Sequence, residues 1–141
     1  MSTSKNKAGQ RRIWEESFNK GNLAIIPELI APDYIFRSPL GIELKGPEGF
    51  KQLISMTHTA FPDVHVTVNE MVAEGDKVVS CFTLKGTFKG EMMGIAPTGK
   101  RIEITGAVIV RWVGGKEVEA LEFIDTLSWY RQLGIPIPPG Q

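Results

Sequence analysis

An acidic residue stands where the last apolar strand of the chain passes into a short helix. The run EVEALEFIDTLSWYRQLG begins at Glu117; it predicts a strand up to Asp125 and then a helical segment that ends at Gly134. A carboxylate at such a junction either caps the helix, by accepting hydrogen bonds from its first N–H groups, or faces a pocket where it can move protons. Which role Asp125 has decides whether the chain carries acid–base chemistry.

The surroundings of Asp125 follow from the alternation of a regular strand, in which every second side chain lies on the same face. Leu121 and Phe123 would then lie beside Asp125 and give it apolar surroundings that raise its pKa. Glu119 shares that face, whereas Glu122 lies on the other, so Glu119 and Glu122 cannot form a catalytic pair. Asp125 is therefore the candidate acid–base residue of the last strand.

Composition excludes several classes of protein. The 141 residues fit a single domain, and 16 basic residues balance 16 acidic ones, so no net charge favours nucleic acid or an anionic membrane. No apolar run approaches the length of about 18 residues that is typical of a membrane span. The polar opening predicts no signal peptide, and the lone Cys81 cannot form an internal disulfide. We expect a cytoplasmic protein that binds neither nucleic acid nor membrane.

The order of predicted elements is helices first and strands afterwards. Residues 1–7 are expected to be disordered and residues 135–141 to form a Pro-rich tail of one domain that spans 1–141. Helices are predicted over Ala8–Lys20, over Leu23–Ile30 and from Gly46 to Phe61, and strands over Tyr34–Phe36, His65–Ala73, Val78–Lys89, Lys100–Val113 and Val118–Asp125. This order predicts an α+β domain with N-terminal helices packed on one face of a strongly curved, mainly antiparallel sheet.

Such a sheet encloses a pocket between itself and the helices. Aromatic residues spread over the chain could line that pocket and bind a flat hydrophobic ligand, or could simply pack in the core. The candidates are Trp14, Phe18, Tyr34, Phe36 and Phe123. An open antiparallel sheet also offers a surface through which two copies could form a homodimer.

Seven short segments occur in an order typical of one family. They are NKGN at 19–22, APDYIF at 31–36, GPEGF at 46–50, FPDV at 61–64, EGDKVV at 74–79, MGIAPTGK at 93–100 and IDTLSWYRQLG at 124–134. Together they resemble the SnoaL-like polyketide cyclase family, a branch of the nuclear transport factor 2-like superfold. The resemblance implies a conical α+β barrel with a deep pocket.

The resemblance also implies a reaction. Characterised cyclases use an aspartate near the end of the last strand as the acid–base group of an intramolecular aldol ring closure, and Asp125 matches it. They need no metal and no cofactor, and we expect none here. Family histidines are replaced in this chain: Arg37 stands in the first strand, Glu119-Ala120-Leu121 in the last, and Arg111 at or near a third position.

Three functions remain open from the sequence. The first is a cofactor-independent cyclase or isomerase that acts on a hydrophobic carbonyl compound through Asp125, with Arg111 as an oxyanion partner. The second is a non-catalytic small-molecule binding protein, which the missing histidines favour. The third is a dimeric interaction module with a vestigial pocket. A related enzymatic alternative to the first is water activation by Asp125 to open an epoxide.

Overall fold

Helices cover one face of a six-stranded sheet in the computed structural model, which describes residues 2–39 and 41–136. Two short elements, a π-helical segment at Ile13–Asn19 and a 3-10 turn at Leu23–Ile25, connect α1 to α2. The four α-helices are α1 (Thr3–Arg12), α2 (Ile26–Leu29), α3 (Gly46–Ala60) and α4 (Thr126–Leu133). The six strands are β1 (Ile30–Arg37), β2 (Glu43–Lys45), β3 (His65–Glu74), β4 (Lys77–Thr87), β5 (Arg101–Val113) and β6 (Lys116–Ile124).

The sheet is mixed and mainly antiparallel. Its strands follow the order β2-β1-β6-β5-β4-β3, and only the β1–β6 pair is parallel among the described pairings. The α+β architecture predicted from the sequence is confirmed. None of the helices in the described part of the chain is long and apolar enough to cross a membrane.

Alternation along β5 defines the inner face of the sheet. Its even-numbered positions Ile104, Val108 and Val110 are buried, whereas Glu103 and Thr105 are exposed. Gly106 occupies an inner position where a Cβ would lie 2.7 Å from the Phe123 carbonyl oxygen and 2.9 Å from the Phe82 ring. A side chain therefore does not fit at Gly106, and the ring of Phe82 packs over it.

The pairing register between β5 and β6 shows which residues of the last strand share this inner face. Ala120 lies opposite Val110, Glu122 opposite Val108 and Ile124 opposite Gly106. The even-numbered residues from 120 to 124 therefore share the inner face with their partners. The odd-numbered residues of this stretch face outward.

The N-terminal helix differs from its prediction. It begins at Thr3 rather than near Ala8, because the Ser2 side chain caps it by accepting a hydrogen bond from the Lys5 N–H at 3.1 Å. Asn6 is fully buried, so residues 3–7 form part of the helix and not a disordered start. The predicted tail lies outside the described residues from position 137 onward.

Two further boundaries differ. Strand β1 extends over eight residues and is longer than predicted, because it lies between β2 and β6 and pairs with both. Strand β2 was not predicted, since a three-residue strand with a single half-buried side chain gives no alternation to detect.

Candidate active site

A cavity of about 490 Å³ lies between the helices and the inner face of the sheet. Its volume lies in the range of pockets that hold drug-sized molecules. The rings of Phe18 and Phe82 lie 5.0 and 5.1 Å from the Trp14 ring, so one wall is a continuous aromatic surface. The aromatic side chains that line the cavity are Trp14, Phe18, Phe36, Phe61, Phe82 and Trp129.

Helix α3 and the loop after β4 form the mouth. Exposed polar residues Gln52, Ser55 and Thr59 line it from α3. The loop approaches closely at Gly90, where a Cβ would lie 1.9 Å from the Thr59 carbonyl oxygen, so only glycine allows this contact. Met92 from the same loop also lines the cavity. The mouth therefore combines polar side chains with Met92 and the exposed Met93, whereas the interior is mainly apolar and aromatic.

Glu122 brings a carboxyl group to the inner wall of this apolar cavity. It lies on the inner face of β6 between Ala120 and Ile124 and lines the cavity together with Ile124. Burial raises its pKa to about 7, because the charged form loses hydration that no cation replaces. No lysine, arginine or histidine belongs to the cavity lining in the described part of the chain. Glu122 is thus poised to exchange a proton near neutral pH.

Two more ionisable groups are buried on the inner side of the sheet. A register shift between Arg111 and Trp112 places Glu117 opposite Trp112, on the inner side of the sheet. Glu117 is 2% exposed, its Oε2 has no hydrogen-bond partner, and burial raises its pKa to about 8. The pKa of Tyr34 is raised well above its usual value, first by burial and then by the charges of Glu117 and Glu122.

Asp125 occupies a different environment from the one predicted. It is exposed and follows the last residue of β6, and its Oδ1 accepts a hydrogen bond from the Ser128 N–H at 3.1 Å. It is the N-cap of α4 and is not part of the cavity lining. The expectation that its face of β6 looks into the pocket is wrong, because the odd-numbered residues of this strand point outward.

Three other predicted site residues lie on the same outer face. Leu121 and Phe123 are 37% and 50% exposed and do not line the cavity, which corrects their assignment as substrate-binding residues. Arg111 lies opposite Glu119. Asp125 follows six positions after Glu119, which corresponds to about 20 Å along a strand, so the structure does not bring Arg111 and Asp125 together.

The remaining predicted residues lie in or behind the cavity. Phe18 and Phe36 line it, whereas Tyr34 is 1% exposed and packs edge-on against Phe50 with ring centres 5.8 Å apart. Tyr34 therefore belongs to the core behind the cavity wall. No cluster of three or more histidine, cysteine, aspartate or glutamate residues suited to a metal ion occurs among the described residues.

Glu122 is the functional candidate that sequence reasoning missed. The usable signal was an acid at an even-numbered position in a strand whose other even-numbered residues, Ala120 and Ile124, are apolar. The signal is missed when the odd-numbered residues of β6 are expected to face the pocket.

The fold and the cavity together define a class: a conical α+β domain with an apolar cavity between its helices and its sheet. The profile of the SnoaL-like polyketide cyclase family matches residues 9–133. The chain belongs to this family.

Similar proteins agree with this membership. The chain is 31% identical over 126 residues to aklanonic acid methyl ester cyclase DnrD of Streptomyces peucetius, covering 87% of each chain. It is 30% identical over 128 residues to nogalonic acid methyl ester cyclase of Streptomyces nogalater, covering 89% of this chain and 95% of that one. A solved structure from Jannaschia sp. CCS1, described as a SnoaL-like polyketide cyclase, has a TM-score of 0.87 at 21% identity and shares the fold over 96% of this chain and 95% of its own.

Proposed function

We propose that this protein is a cyclase that closes a ring in a neutral hydrophobic carbonyl compound, with Glu122 as the acid–base residue. The observation that carries the proposal is the position of Glu122 on the inner wall of an apolar cavity, with its pKa raised to about 7. A general base works best when its pKa lies near the working pH.

The proposed reaction needs one proton carrier and consumes no second reactant. The ionised Glu122 carboxylate takes a proton from a carbon flanked by carbonyl groups, and the resulting carbanion attacks a second carbonyl carbon of the same molecule. A carbon–carbon bond forms, and the carbonyl π-bond becomes an alkoxide. Protonated Glu122 returns the proton to that alkoxide, so substrate and product are isomers. The apolar walls favour this chemistry because they exclude water from the carbanion.

The family resemblance predicts Asp125 as the acid–base residue, so Asp125 is the alternative to Glu122 for this role. Its carboxylate is exposed and bonded to the Ser128 N–H. Its carboxylate serves as the cap of α4 and does not line the cavity. We therefore favour Glu122 and keep Asp125 as the alternative to be tested.

The substrate class follows from the cavity and from the relatives. Aromatic and aliphatic walls of this extent accept a planar polycyclic compound, and the polar side chains of Gln52, Ser55 and Thr59 would contact its oxygen substituents. The two cyclase relatives are named for the methyl esters of aklanonic acid and nogalonic acid. We infer that this chain acts on a polyketide ester of the same general kind.

Incubation with the esters named for the relatives tests the proposal. Purified protein with aklanonic or nogalonic acid methyl ester should give a ring-closed isomer of unchanged mass, detected by chromatography and mass spectrometry, at a rate well above the reaction in buffer. Binding of both esters without any isomer would contradict catalysis and favour the non-catalytic binding protein.

We also infer that two copies pair through the outer face of the sheet. Leu121 and Phe123 are exposed there and lie opposite Ile109 and Ala107, which continue an apolar patch across β5. Burying such a patch against its own copy is favourable, and a twofold contact needs only one surface. Molar mass in solution, measured by light scattering, tests the homodimer.

A further inference from the structure

We propose that the cavity also binds hydrophobic cations, in particular quaternary and tertiary ammonium groups that carry an aryl substituent. This ligand class goes beyond ring closure and does not depend on it. The proposal rests on the charge and the wall chemistry of the cavity.

The Glu122 carboxylate has no cationic partner in the cavity lining among the described residues. Glu122 lines the cavity, and no lysine, arginine or histidine of the described residues lines it with Glu122. By contrast, Glu119, the outward-facing acid nearest to it on β6, lies 3.9 Å from the Arg37 guanidinium. A buried anion of this kind is stabilised by any cation that can enter the apolar space, because the ligand then supplies the missing opposite charge.

The aromatic wall of the cavity also favours a cationic ligand. The face of an aromatic ring carries partial negative charge and attracts a cation within about 6 Å of its centre. The Phe18 and Phe82 rings both pack against the Trp14 ring, and all three line the cavity. An ammonium group with apolar substituents loses little hydration on entry, so the attraction of the rings and the carboxylate is retained.

The ionisable groups that line the cavity are all acidic among the described residues. Tyr34 from β1 and Glu117 from β6 lie behind the wall, and Glu91 lies at the mouth. From α3, β4 and β5 the lining residues are neutral. Among the described residues, the groups that line the cavity are therefore acidic or neutral, which favours cations over anions.

Three probes that share a naphthyl ring test the proposal by calorimetry without any ester present. They are N,N,N-trimethyl-2-naphthylammonium, its neutral counterpart 2-tert-butylnaphthalene and the anion 2-naphthoate. The ionised fraction of Glu122 rises from about one tenth at pH 6 to about nine tenths at pH 8 for a pKa of about 7. The affinity for the cation should therefore rise about tenfold between pH 6 and pH 8. The affinity for the neutral probe should stay constant, and naphthoate should bind more weakly than both.

Two variants assign the effect to one carboxylate. Glu122→Gln should lose the tenfold rise and still bind the neutral probe, which also reports an intact cavity, whereas Glu119→Gln should behave like the wild type. A cation that binds no more tightly than its neutral counterpart at pH 8 would overturn the proposal, as would an equal rise with pH in Glu122→Gln. If Glu122→Gln does not fold, the comparison of the two probes on the wild type decides.

Discussion

Replacing Glu122 by glutamine should lower the turnover number for ring closure by about 10²–10⁴-fold, the range that a positioned acid–base group contributes. Glutamine has nearly the same shape and keeps the cavity filled, but it cannot take a proton from carbon. KM should change little, because the walls that hold the substrate stay in place. Initial rates with the ester that the wild type converts give both constants.

Asp125→Asn is the matched control for this prediction. Asparagine keeps an oxygen that accepts from the Ser128 N–H, so the cap on α4 and the stability of the domain are retained. We expect turnover within a few-fold of the wild type. A large loss in Asp125→Asn with full activity in Glu122→Gln would reverse the two roles and support the residue predicted from the sequence.

Replacing Glu117 by glutamine should reduce the loss of stability that the wild type shows as pH rises. Burial raises the pKa of Glu117 from 4.5 to about 8, so between these values the folded protein holds a proton that the unfolded chain has released. The free energy of unfolding therefore falls as pH rises through this window. At about 1.4 kcal/mol for each pKa unit, the loss is on the order of 3–5 kcal/mol. Glutamine stays neutral and does not contribute to this loss.

Urea unfolding at pH values from 5 to 9 measures this effect. Near pH 5 the variant should be no more stable than the wild type, and above pH 8 it should be clearly more stable. Glu122 still titrates in the variant, so a smaller decline with pH remains. Glu119→Gln, an outward-facing acid on the same strand, should follow the wild type. Parallel curves for Glu117→Gln and the wild type would show that Glu117 is not buried in its charged form.

The sequence predicted those elements that are long and bounded by turn residues. Helix α3 begins at Gly46-Pro47 and ends before Pro62, as its apolar stripe and its breakers indicate. The strands β3 to β6 alternate over nine or more residues, and their existence was predicted within a few residues at each end. The short strand β2 depends on its pairing with β1 and has no local signal, whereas the helical residues before Ala8 begin at the local Ser2 cap, which the prediction did not use.

The candidate site was harder to predict than the fold, because alternation gives two faces and does not say which one is buried. Large apolar residues such as Leu121 and Phe123 are expected to face a pocket. In the structure the inner face instead carries Ala120, Glu122 and Ile124. A change of one residue in parity exchanges the two faces of a whole strand. Only the pairing of β6 with β5 settles which face is inner, and that pairing is a long-range contact.

The pH dependence of ring closure tests the role of Glu122 most directly. If Glu122 is the base, kcat/KM for the wild type rises with pH and reaches half of its plateau near pH 7, where the Glu122 carboxyl ionises. The residual activity of Glu122→Gln lacks this step. A wild-type profile that is flat from pH 5.5 to 8.5, or a step near pH 7 that persists in Glu122→Gln, would contradict the assignment of the base to Glu122.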